Sequence, residues 1–201
     1  MAIPSSTLKI YEMTRIDRAI EAFVQIENPK ASDLNLIKVQ SDIENGLEQY
    51  RIGALSMTER ERLDEKHCSS KLAAFMTAEG DTRPHPECHC HAIVSGAHSE
   101  AAVLRAVLAW LAVRIDDPRN GCWLPRNTAA RSKMPEWLKN AIPHSRIHRK
   151  TYYRWLEDNI NFTMTPTLND LVLKLKIIRT CLQQGNVRPD ILLDLGYEVS
   201  N

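Results

Sequence analysis

Two histidines four residues apart, His144 and His148 in His-Ser-Arg-Ile-His, constrain this chain more than any other feature. On a helix that spacing puts both imidazoles on one face, where such a pair can grip one metal ion. Cys-His-Ala-Ile-Val-Ser-Gly (90–96) and Asn120-Gly121 precede the pair. Arg146, Arg149 and Lys150 surround it, and Tyr152, Tyr153, Arg154 and Trp155 follow. A metal clamp among cations and aromatics suits a phosphate-bearing polymer. The residues alone therefore point to a metal-dependent nuclease organised around residues 85–160.

Charge points the same way. Residues 1–82 hold 10 Lys/Arg against 14 Asp/Glu, residues 83–160 hold 12 against 7, and residues 161–201 hold 4 against 4. The histidine-rich part is the basic part, as a nucleic-acid footprint requires. With only seven glycines in 201 residues, a helix-rich chain is expected rather than a turn-rich sandwich.

Periodicity and caps divide the chain into three regions. Residues 1–82 read as a helical wrapper or a link to a delivery module. A helix follows a cap at Thr14 through Ile16, Ile20, Phe23 and Val24. A break at Asn28-Pro29-Lys30 precedes a second helix opened by Ser32-Asp33, and Thr58 caps a third whose charged run, 59–66, reads as a solvated face. Residues 80–86 mark a boundary. Within residues 83–160 the pattern gives a short strand over 87–95, a helix over 99–113 and a turn over 115–121. An extended piece over 122–125, a helix over 134–141 and a histidine helix from Pro143 to about Asn159 complete the region. Residues 161–201 hold an amphipathic helix over 168–182 stopped by Gly185 and a short helix over 189–195.

The N-terminal Met-Ala-Ile-Pro-Ser-Ser carries neither a basic nor an apolar signal region, so no secretory signal is expected. The most apolar stretch, 101–113, is too short for a membrane span and is interrupted by Arg105, so a soluble chain is expected. Cys68, Cys88, Cys90, Cys122 and Cys181 show no disulfide framework and read as reduced thiols. Cys88, Cys90, His85 and His89 are close enough in sequence to raise a second, structural zinc site, although no CxxC spacing supports it.

Taken in order, the fixed points are Cys-His-Ala-Ile-Val (90–94), an Ala-rich helix, Arg-Ile-Asp-Asp-Pro-Arg-Asn-Gly (114–121), Leu-Pro (124–125) and His-Ser-Arg-Ile-His followed by Tyr152-Tyr153. This order resembles the AHH-type toxin nucleases, a branch of the HNH (ββα-metal) endonucleases named for an Ala-His-His motif. The resemblance covers residues 85–157. It implies an α-rich α+β fold, a ββα-metal core with helical N-terminal and C-terminal extensions. It makes His91, His144 and His148 ligands of one divalent ion, with Mg, Mn, Zn and Ni all open. Asn120 would pin the loop after the hairpin, and Arg146, Arg149, Lys150 and Tyr152 would contact the phosphate backbone.

Ala92 departs from the pattern. The family's second motif histidine, the expected general base, aligns there, and an alanine methyl accepts no proton; losing such a base costs roughly 10²–10⁴ in rate. Three explanations stand: an engineered His-to-Ala change, a shifted register with His91 as base and His89 or Cys90 in the other role, or a naturally inactive member. The first and third leave the chain catalytically dead. The resemblance further implies an antibacterial DNase, DNA before RNA, opposed by an acidic cognate immunity protein. Such a toxin would be cytoplasmic in its producer and delivered to the target-cell cytoplasm without a signal peptide, for instance by a type VI-like route. A phage-borne or restriction-type HNH nuclease is an alternative within the same chemistry. A non-catalytic, zinc-stabilised nucleic-acid-binding module is an alternative outside it.

Overall fold

A computed structural model describes residues 13–192. The chain divides into two compact units, residues up to 48 and residues from 49 onward.

In the first unit, α1 (Arg15–Val24) starts where its cap dictates. The Thr14 hydroxyl accepts from the Asp17 amide at 3.1 Å, and the Asp17 carboxylate accepts from the Thr14 amide at 2.8 Å. Two of the helix's orphan donors are satisfied reciprocally. Helix α2 (Ala31–Ser56) begins after the Asn28-Pro29 break, with the Asp33 carboxylate accepting from the Lys30 amide at 2.8 Å. Helix α1 buries none of its residues, and Ile20 and Val24 stay exposed.

The second unit holds the core. Helix α3 (Glu59–Leu63) is capped by Thr58 and Glu61. Its charged run is more than a solvated face. Arg62 donates to the carbonyls of Ala54 at 2.6 Å and Ala109 at 2.7 Å, and Arg114 donates to Glu65 at 3.0 Å. Helix α4 (Ser69–Ala78) buries Leu72 and Met76 and packs on strand β1 (Cys88–Ala92), which pairs antiparallel with β2 (Gly121–Pro125). Residues 80–86 thus connect two packed elements of one unit. The compact units part after residue 48, and Leu72 and Met76 supply apolar surface to the small sheet.

Close approach explains Gly121. It pairs with Ala92 across the sheet, and a Cβ there would meet Met76 Sδ at 2.5 Å and Leu72 Cδ1 at 3.0 Å. The link between the strands carries α5 (Ala102–Trp110), which buries Leu104, Val107 and Leu108. It then passes two buried carboxylates. Asp116 accepts from the Cys68 amide at 3.1 Å and pairs with His67, while Arg51 forks onto Asp117 at 2.9 and 3.0 Å. Buried charges persist only when paired in this way.

Downstream, the expected helix over 134–141 is replaced by short 3-10 turns at Ala129–Lys133 and Glu136–Leu138. Pro135 forces Met134 into an extended conformation, as the residue before a proline prefers. Helix α6 (Lys150–Asn159) and α7 (Leu168–Gln184) close the core. Leu171, Leu175, Ile178 and Leu182 form the buried stripe of α7, which ends at Gly185 with φ of 72°. Residues 189–192 form a 3-10 turn; the rest of the short helix expected to 195 lies outside the described residues. No helix among the described residues is long and apolar enough to cross a membrane. All five cysteines are free thiols. The result is a helix-rich chain around one two-stranded sheet, compatible with an HNH-type fold.

Candidate metal centre

Strand alternation sorts the Cys-His-Cys-His-Ala segment into two faces. His89 and His91 point to one side. Cys88, Cys90 and Ala92 point to the other, where the Cys90 thiol meets Met76 of α4 at 3.5 Å and the Cys88 thiol meets Met134 at 3.4 Å. Ala92 is buried in the core opposite Gly121, on the side that α4 covers. The residue expected at the general-base position therefore faces away from the histidines. The chain Cys88, Cys90, His85 and His89 is not drawn together as a structural zinc site either. Its thiols lie on the opposite face of β1 from His89, and His85, before the strand, accepts from the Glu87 amide through Nδ1 at 3.1 Å.

His144 and His148 do converge, though not on a helix. His144–Arg146 is one 3-10 turn after Pro143, Ile147 is extended and buried, and His148 takes φ of 70°. The reason is tertiary. The Ser145 amide donates to the Arg126 carbonyl at 3.3 Å, tying the turn to the chain just beyond β2, and Ile147 turns into the core. Helix α6 starts only at Lys150. The left-handed His148, costly for a residue with a Cβ, brings its Nε2 to 3.2 Å from Nε2 of His144.

His91 completes the group, its ring centroid 5.2 Å from that of His144 and 5.0 Å from that of His148. One ligand atom from each of the three lies within 4.8 Å of the others. Each ring uses its second nitrogen elsewhere. His91 Nε2 meets the Tyr152 hydroxyl at 3.1 Å, His144 Nδ1 meets His89 Nδ1 at 3.1 Å, and His148 Nδ1 meets the Tyr153 hydroxyl at 2.9 Å. His91 Nδ1 is the one buried side-chain nitrogen or oxygen among the described residues without a hydrogen-bond partner. Leaving a buried polar atom unpaired costs about 1–3 kcal/mol, so a nitrogen kept this way needs a reason.

Electrostatics supply one. Burial, then the neighbouring His148 and His144, holds His91 well below the usual histidine range. Burial followed by His148 and His89 brings His144 down to about 4, and burial lowers His148 as well. All three are neutral at neutral pH, the state a metal requires. Ligands 2.0–2.1 Å from a tetrahedral ion lie roughly 3.3 Å apart, close to the separation of the two Nε2 atoms. The donor set fits one divalent ion, and imidazole favours transition metals by affinity.

The remaining expected site residues divide. Asn120 is fully buried and pins the segment after β1: its Oδ1 accepts from the Val94 amide at 2.8 Å, and its Nδ2 donates to the Val94 and Ile115 carbonyls at 3.0 and 2.9 Å. Arg146 and Lys150 are exposed beside the two histidines, with Arg149 between them partly buried. Tyr152 differs from its expected place on the phosphate backbone. It has no exposed surface, so it cannot touch a phosphate backbone; it supports His91 instead. Trp155 packs against the core. Two supporting residues were not singled out for this role by sequence. Tyr153 orients His148, and His98 stacks on Tyr153 with centroids 4.5 Å apart.

A small antiparallel sheet in a helix-rich chain, with one buried and two half-buried imidazoles gathered beside it, could hold one metal ion. The family is specific. Residues 72–184 match the AHH family, a nuclease family of the HNH/ENDO VII superfamily with conserved AHH, and the chain belongs to it. No curated protein and no solved structure matches the chain.

Proposed function

We propose that the chain is a metal-dependent endonuclease that hydrolyses phosphodiester bonds, DNA before RNA, from a ββα-metal core. The observation carrying this reading is the unpartnered, buried Nδ1 of His91 facing two further neutral imidazoles, in a chain of a nuclease family. His91, His144 and His148 would hold one divalent ion, which when bound would supply Lewis acidity toward the phosphate and the departing 3′ oxygen. The protein's own groups do the rest. Asn120 keeps the backbone after His91 in register. Arg146, Arg149 and Lys150 hold the substrate backbone beside the site.

His89 shares the site face of β1, is half-buried, and meets the Nδ1 side of His144 through its own Nδ1, which orients that ring. With Ala92 on the core face, we read position 92 as lying outside the site, with His91 kept as a ligand. Use as an antibacterial toxin, with an acidic immunity protein over the basic turn and delivery from producer to target cytoplasm, is part of the proposal and rests on the order of the motifs. Incubation of the purified chain with supercoiled plasmid tests the chemistry. Nicking that requires Mg²⁺, Mn²⁺, Zn²⁺ or Ni²⁺ and stops with a chelator is expected; intact plasmid under every metal would overturn it.

A further inference from the structure

The phenol of Tyr152 stands between two partners that leave it one hydrogen-bonding arrangement. Its oxygen is 2.9 Å from the Ile93 carbonyl and 3.1 Å from His91 Nε2. A carbonyl oxygen only accepts, so the phenol's single proton goes to Ile93. Toward His91 the same oxygen can then only accept, so Nε2 of His91 carries the hydrogen. A neutral imidazole has one N–H, so its Nδ1 is bare. That nitrogen is the buried atom left without a partner.

The other two histidines are held the opposite way round. His148 is engaged at Nδ1 by Tyr153, and His144 at Nδ1 by His89, which leaves their Nε2 atoms facing each other at 3.2 Å. Consecutive tyrosines on the first turns of α6 thus serve two ligands through different ring atoms. Hydrogen bonds to the far nitrogen fix ligand tautomers in this manner generally.

We propose that Tyr152 is a positioning residue that locks His91 in its Nε2–H tautomer, so that the centre takes a divalent metal through Nδ1 of His91 and Nε2 of His144 and His148. The ligation half of this inference rests on the metal-centre reading above; the tautomer half does not. Nitrogen-15 NMR of the full chain labelled at histidine separates them. In metal-free protein His91 is expected as the Nε2–H form. Added Zn²⁺ is expected to perturb Nδ1 of His91 and Nε2 of the other two.

Tyr152→Phe keeps the ring in the core and removes the acceptor. It is expected to mix the His91 tautomers and weaken Zn²⁺ binding about 10–100-fold by calorimetry. Tyr153→Phe is expected to leave the His91 tautomer alone, which controls for general loosening of α6. An Nδ1–H His91 in the unchanged protein, or Tyr152→Phe binding Zn²⁺ as tightly as the parent, would overturn the inference. An Nε2–H His91 in a chain that binds no Zn²⁺ would instead overturn the metal-centre reading and the ligation half with it.

Discussion

On one face of β1, His89 and His91 look across to His144, His148 and the tyrosines of α6; on the other, Cys88, Cys90 and Ala92 pack against Met134, Met76 and the α4 side of the sheet. Both faces are largely enclosed, yet enclosure does opposite work on them. On the histidine face burial keeps imidazoles neutral, which frees lone pairs for a metal. On the thiol face burial, helped by the charges of Asp81 and Asp116, pushes Cys90 up to about 12. It stays a thiol and behaves as a small apolar side chain. The same desolvation prepares one set of ligands and disarms the other.

Changes on the histidine face should remove function and spare the fold. The largest effect is expected from His144→Ala, which should abolish measurable Zn²⁺ binding while leaving the circular dichroism spectrum unchanged; a variant that still binds one equivalent would break the contrast. Changes on the core face should do the reverse. Gly121→Ala places a methyl into Met76 and Leu72 and should cost about 1–3 kcal/mol as overpacking, measured by urea unfolding, with Zn²⁺ affinity retained per folded molecule.

A pH series sharpens the comparison further. Histidines free in the unfolded chain titrate near 6.5, whereas folded His91, His144 and His148 titrate lower, His144 at about 4. Across that window the unfolded chain binds more protons, so metal-free stability should be full above about pH 6.5 and fall as pH drops toward 4. His144→Ala should flatten part of that slope, and an unchanged slope would contradict the assignment. The smallest effect is expected at Arg146, exposed between the two ligands. Arg146→Ala should weaken DNA binding across sequences and reduce the salt slope by about one, measured by fluorescence anisotropy.

Much of the site's membership was legible in sequence, and much of its geometry was not. His91, His144 and His148 stand out by identity and order, but the helix proposed for 144–148 fails because Arg126 captures the Ser145 amide and Ile147 turns inward. Such contacts come from residues distant in sequence. Tyr152 and Tyr153 read as aromatic neighbours of cations, and only the fold turns their hydroxyls toward imidazoles. Ala92 is different. The period-2 alternation of a short strand already separates it from His91, a signal present in Cys-His-Cys-His-Ala itself. Helices α1 and α3 were legible because their Thr caps and acidic third residues are local, and α7 because its apolar stripe and its Gly185 stop are. The share of α4 in the core was not, since two buried residues, Leu72 and Met76, carry it without a strong stripe.

If the histidine face of β1 carries the site and position 92 does not, activity must follow His144 and ignore residue 92. Metal-dependent plasmid nicking by the unchanged chain, His144→Ala and Ala92→His, run side by side, tests it most directly. Cutting is expected from the unchanged chain, none from His144→Ala, and no gain for Ala92→His, whose imidazole would enter the packed core. An inert unchanged chain, with Ala92→His gaining roughly 10²–10⁴ in rate, would contradict it.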